Sequence, residues 1–127
     1  MTIRIYKTRS FVRLMKKSGV SDLALGEAVA ELSRGLHDGD LGRSLFKKRI
    51  ALPGRGKRGS VRTIVATKAG TRWFFLFGFK KNERSTITEQ EREALQELAR
   101  DLLSLNEDGL RLALRDGALM EIDDGQP

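Results

Sequence analysis

The sequence predicts an α+β domain: a mostly antiparallel sheet with two N-terminal helices and a C-terminal helix packed on it. Three observations carry that reading. Three segments with strand-type patterns lie between Leu45 and Phe79, joined by glycine-containing connections. Further on, Thr88 and Glu91 form a T-x-x-E capping box ahead of a leucine-rich helical run. Upstream, Leu25, Val29, Leu32 and Leu36 recur at intervals of four, three and four residues, the stripe of a core-facing helix.

The elements follow in order. Ile3–Thr8 alternates apolar with polar residues and reads as a strand. Ser10 caps a short helix with Phe11, Leu14 and Met15 on one face, and Gly19 ends it. Ser21 caps the second helix, which points Glu27, Glu31 and Arg34 to solvent and closes near Gly35; the two helices form a hairpin. Residues 37–44, HDGDLGRS, read as a turn. Leu45–Leu52 places Phe46, Lys48, Ile50 and Leu52 on one face and Lys47 and Arg49 on the other. Ser60–Lys68 is rich in β-branched residues. Arg72–Phe79 is apolar on both faces, as a central strand must be, and Lys68–Thr71 turns the chain between these two. The capped helix runs to about Leu105 with Leu95, Leu98, Ala99, Leu102 and Leu103 buried; a short helix within 106–116 and an edge strand at Leu119–Ile122 complete the order. One domain spans 1–127, with 123–127 frayed.

Charge narrows the function. The net charge is +7 in 127 residues, which favours polyanionic partners. The distribution says more than the sum. Leu41 to Asn82 holds twelve basic residues and no Asp or Glu, whereas Ser85 to the C-terminus holds eleven acids against four bases. The absence of cysteine removes disulfides and thiolate metal sites. The polar start and the lack of a long apolar run point to a cytoplasmic protein without membrane association.

The stretch PGRGKRGSVR, residues 53–62, resembles a phosphate loop, but its chemistry is different. Gly56-Lys57 is followed by Arg58 rather than Ser or Thr, and position 51 is Ala, so the Walker pattern is broken. Gly54, Gly56 and Gly59 fit G-x-G-x-x-G formally, yet a strand follows where a dinucleotide site requires a helix. The lone His37 is an unsupported catalytic candidate, and Glu89, Glu91, Glu93 and Glu97 suit the start and exposed face of a helix. Cations remain. If 60–68 and 72–79 form a hairpin, the start of the first lies beside the end of the second, and Lys57 and Arg62 approach Lys81 and Arg84. Such a patch suits RNA phosphates or the charge of a phosphoryl-transfer transition state.

Two motifs in this region, G-x-G-K-x-G-x-x-R from Gly54 to Arg62 and G-F-x-K-N-E-R from Gly78 to Arg84, give the chain its family likeness. The sequence resembles the RelE/HigB branch of bacterial toxins from type II toxin–antitoxin systems, most firmly over residues 1–105. The resemblance implies a small microbial-ribonuclease-like fold and a metal-independent, cofactor-free endoribonuclease that cleaves mRNA, commonly on the ribosome. It also implies neutralisation by a cognate antitoxin, often a helix-turn-helix DNA-binding protein. Carried over, Arg62 binds the scissile phosphate, Lys57 is a proton acceptor or phosphate ligand, and Lys81 and Arg84 stabilise the transition state and leaving group. Lys47, Lys48, Arg49, Arg55, Arg58 and Lys80 grip RNA, and Phe79 either stacks on a base or belongs to the core. The chain departs from family members that carry a tyrosine or histidine near the C-terminal end of the fold, since its one tyrosine is Tyr6. Two alternatives keep the fold and change the function: a gyrase-binding toxin of the related ParE branch, and an inactive nucleic-acid-binding or regulatory homologue.

Overall fold

A computed structural model describes residues 2–52 and 59–122. Its elements are β1 (Arg4–Thr8), α1 (Arg9–Met15), α2 (Asp22–Leu32), β2 (Gly39–Gly42), β3 (Leu45–Ile50), β4 (Val61–Ala66), β5 (Arg72–Lys80), α3 (Glu89–Leu103), α4 (Glu107–Arg115) and β6 (Leu119–Glu121). The sheet order is β2-β3-β4-β5-β1-β6. All neighbours are antiparallel except β1, which runs parallel to β5 with Tyr6 opposite Phe74. The α+β class with a mostly antiparallel sheet is as expected.

Helices cover both faces of the sheet, and two cores result. On one face Phe11 and Met15 of α1 and Leu25, Val29 and Leu32 of α2 pack on Ile5, Ile50, Val61, Val65, Trp73 and Phe75. On the other, Leu95 and Ala99 of α3 and Leu110 of α4 pack on Tyr6, Leu45, Ile64, Ala66, Phe74 and Leu76. β5 feeds both cores, which is why its sequence is apolar on both faces. The start of α4 is tied to the sheet by Arg72, which donates to the Leu105 carbonyl at 2.6 Å and to Glu107 at 2.7 Å.

One irregularity in the sheet sets which residues of β5 face α3. Ile64 pairs with Phe77 but Val65 pairs with Phe75, so Leu76 is an extra residue in β5. Leu76 and Phe77 therefore both join the α3-side core, and the alternation beyond is reset. Phe77 and Phe79 face α3, while Gly78 faces α1, where an added Cβ would meet Met15 Sδ at 2.8 Å.

Several expectations change. Thr8, not Ser10, caps α1: Phe11 N donates to Thr8 Oγ1 at 3.1 Å, because Thr8 still has extended backbone where β1 ends. Residues 39–42 form a strand rather than part of a turn, paired with β3 although their sequence lacks strand-forming residues. α2 ends at Leu32; Gly35 (φ +82°) donates to the Leu32 carbonyl and Leu36 to the Glu31 carbonyl, a Schellman-type closure that carries Leu36 into solvent. Leu14 and Leu98, expected to be buried, are exposed, because the sheet covers a narrower stripe of each helix than the apolar spacing suggested.

Candidate functional site

Strand register decides which cations share a surface. Arg49 on β3 lies opposite Arg62 on β4, and Arg62 opposite Phe79 on β5. Cross-strand partners project from the same face, so Arg49, Arg62 and Phe79 form one row on the α3 side. The next row on that face is Lys47, Ile64 and Phe77. Above these rings stands Arg84, its guanidinium carbon 5.4 Å from the Phe79 ring centre and 5.8 Å from that of Phe77. Arg62 and Arg84, 22 positions apart in sequence, thus flank a shared aromatic floor. The β5 bulge is what turns both phenylalanines this way.

Arg84 is held firmly. Its Nε donates to the Thr86 carbonyl at 3.0 Å, one terminal nitrogen donates to Glu91 Oε2 at 3.0 Å, and the other to Glu91 Oε1. Glu91 has a second task, accepting the Thr88 N–H at 2.8 Å while the Thr88 hydroxyl accepts the Glu91 N–H at 3.1 Å. This is the capping box the sequence predicts, and it opens α3. The bidentate pair with Arg84 ties the loop after β5 to the helix start. Hydrogen bonds from Arg84, then the Thr88 N–H, lower the Glu91 carboxyl from 4.5 to about 2. The same pair raises the Arg84 guanidinium above its ordinary value.

That shift fixes a sign. A carboxyl with a depressed folded pKa stabilises the fold fully above its unfolded value and loses the contribution as pH falls through the folded one. The stability advantage of the wild type over Glu91→Gln is therefore expected to shrink as pH drops from about 4.5 to about 2, measured by denaturant melts at stepped pH.

The remaining site candidates are distributed unevenly. Arg62 is half-buried, and one of its terminal nitrogens donates to Ser60 Oγ at 3.2 Å. Arg49 is exposed, and Lys47 is half-buried. Lys81 is exposed in the turn after β5. Lys80 pairs with Val61 and so projects from the opposite, α1-side face. Phe79 is buried beneath Arg84, in keeping with its core alternative. Lys48 faces α2, where its side chain is buried and its ammonium donates to the Leu36 carbonyl at 2.8 Å and to Glu31 at 3.0 Å. Its charge is engaged inside the fold. Lys57, Arg55 and Arg58 lie outside the described residues.

The contrast along β3 gives a second expectation. Lys48→Ala is expected to cost about 1.5–3 kcal/mol of stability through lost charge-assisted hydrogen bonds, leaving RNA affinity unchanged. Arg49→Gln should do the reverse: stability within about 0.5 kcal/mol of wild type and RNA binding weaker by about fivefold at 0.1 M salt. Thermal melts and RNA titrations on both variants read this out.

Other groups the sequence raised stand apart. The His37 ring lies 5.2 Å from the ring of Phe46, which pairs with Val65 and so faces away from α3. Tyr6 is fully buried and stacked on Phe74, with its hydroxyl unpaired, and burial raises its pKa. Sequence reasoning did not identify Glu91 as a partner of Arg84; the capping box announced its helix role only. Among the described residues no three His, Cys, Asp or Glu side chains stand together as a metal set, and no helix is long and apolar enough to cross a membrane.

A sheet flanked by helices on both faces, with arginines gathered at the end of its central hairpin, is the framework of a small toxin of the kind the motifs suggested. The family described as "RelE toxin of RelE / RelB toxin-antitoxin system" matches residues 3–122. The chain belongs to this family, and as a toxin component its partner is a cognate antitoxin. A comparison with curated proteins gave no match.

Proposed function

We propose that the protein is an mRNA endoribonuclease whose active surface is the α3-side end of the β4–β5 hairpin. The observation that carries this reading is the Arg49–Arg62–Phe79 row with Arg84 clamped above it. Arg62, on a central strand, binds the scissile phosphate. Arg84 uses three of the five N–H donors of a guanidinium on Thr86 and Glu91. Two remain for the phosphoryl oxygens, and the clamp fixes their direction before RNA arrives.

The reaction is an internal transfer. The ribose 2′-oxygen attacks the adjacent phosphorus as its proton passes to a base. The bond from phosphorus to the 5′-oxygen breaks, and that oxygen takes up a proton. One product ends in a 2′,3′-cyclic phosphate and the other in a 5′-hydroxyl. Arg62 and Arg84 offset the charge that grows on the non-bridging oxygens. Lys57 is the proton acceptor in this scheme on the strength of the sequence alone, and Lys81 serves the leaving group. The ribosome aligns the mRNA, which supplies much of the orientation a small protein lacks. The family likeness adds a helix-turn-helix antitoxin, which the adjacent reading frame tests directly.

The reading is tested by incubating the purified protein with translating ribosomes and characterising the new RNA ends. Cyclic-phosphate and 5′-hydroxyl ends support it. Intact RNA, or ends bearing 5′-phosphate, overturn it.

A further inference from the structure

A second cationic pocket opens on the α3 side, at the far end of β4. It encloses about 260 Å³ and is lined by Arg43, Ser44, Lys68, Gln96, Glu97 and Arg100, among others. Three cations there face one carboxylate. Among the described residues neither Arg43 nor Lys68 meets an acid within ion-pair distance, and Arg100 has only Asp101, at 3.7 Å between two well-exposed side chains.

The turn that presents Arg43 is built at a conformational cost. Gly42, Arg43 and Ser44 all have left-handed backbone, with φ of +84°, +54° and +69°. A two-residue hairpin connection of this hand prefers Asn-Gly, which adopts it without strain. This chain instead carries an arginine and a serine, residues that adopt it at a penalty. The turn is braced from three sides. Asp40 Oδ1 accepts the Gly42 N–H at 2.9 Å, Gln96 of α3 donates to the Leu41 carbonyl at 2.8 Å, and Thr67 N donates to the Ser44 carbonyl at 3.1 Å. The strained turn is thus held in place by a neighbouring helix and presents Arg43 to the pocket, and strain of this kind clusters at functional sites.

Placement selects the ligand. Arg62 and Lys68 are six positions apart, so the two sites are separated by roughly 20 Å along the strand direction. Lys47 projects from the same face of β3 and stands between the Arg43 turn and Arg49. An extended single strand held at Arg62 would bring a phosphate to the second pocket within a few nucleotides.

We propose that the Arg43–Lys68–Arg100 pocket is a phosphodiester subsite that binds RNA remote from the scissile bond. It rests on the endoribonuclease reading for its role, but its test reads binding and needs no cleavage. The ligand chemistry is an RNA phosphate, supplied either by the same mRNA strand or by ribosomal RNA.

The experiment titrates wild type, Arg43→Gly and the Lys68→Gln/Arg100→Gln pair with a trinucleotide, a ten-nucleotide RNA of the same core and isolated ribosomes, across salt. Arg43→Gly keeps the fold because glycine accepts the left-handed turn, and melts confirm it. Arg43→Lys keeps the charge and should rescue. Loss of one phosphate contact weakens the long RNA by about fivefold at 0.1 M salt and flattens the salt slope by about 0.7. Trinucleotide affinity should not change. A deficit confined to the ten-nucleotide RNA assigns the phosphate to the substrate strand, and one confined to ribosomes assigns it to ribosomal RNA; either supports the subsite. Unchanged binding of both the ten-nucleotide RNA and ribosomes, or equal weakening of the trinucleotide, would overturn it.

Discussion

Arg62→Ala is expected to lower the rate of RNA cleavage by about two to three orders of magnitude, the usual effect of removing one preorganised donor from a developing oxyanion. The protein should stay folded. Arg62 is half-buried at the end of a strand whose packing is carried by Val61, Ile64, Val65 and Ala66, none of which touches the reaction. The loss should therefore fall on kcat, with melting and antitoxin binding close to wild type. Arg62→Lys should recover part of the rate, because a point charge replaces a fork that can contact two oxygens at once. A folded Arg62→Ala protein that cleaves at the wild-type rate would remove Arg62 from the chemistry.

Phe74→Ala is expected to abolish toxicity by another route. Phe74 is fully buried in the α3-side core and stacks on Tyr6 with ring centres 5.3 Å apart. Truncating a buried phenylalanine costs about 3–5 kcal/mol through lost transfer energy and the cavity left behind. That is a large fraction of the roughly 5–15 kcal/mol that holds a domain together. The melting midpoint should fall by roughly 10–20 °C on that basis. Comparing the two variants separates chemistry from folding. Each stops growth inhibition, but only Phe74→Ala shows the lowered melting midpoint and a reduced yield of folded protein. A Phe74→Ala protein as stable as wild type would mean that α3 does not depend on this core for its position.

The fold was legible in the sequence wherever a periodic pattern was strong. β5 could be read as central because Trp73 to Phe77 is apolar without a break, and the Thr88–Glu91 box marks the start of α3 to the residue. The hairpin of β4 and β5 was readable too: it is expected to bring Arg62 near Arg84, and in the structure Arg62 pairs with Phe79 while Arg84 lies over that ring. What was hidden depends on tertiary structure. β2 carries no strand signal because its Gly-Asp-Leu-Gly is held by pairing with β3 rather than by propensity. The parallel pairing of β1 with β5 has no local signature. The bulge at Leu76 is likewise invisible in a run where every residue is apolar, yet it aims Phe77 and Phe79 at α3.

The same limit applies to the cations. Alternation along β3 separates Lys48 from Lys47 and Arg49, so the face was readable. That α2 would bring Glu31 and the Leu36 carbonyl to Lys48 was not, because the ion pair spans two elements with no fixed spacing between them. Glu91 shows a signal with two meanings. Its place three residues after Thr88 announces a cap, and nothing in that spacing announces the clamp on Arg84. The acid-free block from Leu41 to Asn82 drew attention to this region, and the strand register shows which of its charges share a face.

The central claim is that this surface cleaves mRNA, and mapping transcript ends across the cell after induced expression tests it most directly. New internal ends carrying 2′,3′-cyclic phosphate and 5′-hydroxyl are expected within translated regions, absent when Arg62→Ala is expressed at the same level. Growth arrest by the wild type without new ends in mRNA would contradict it.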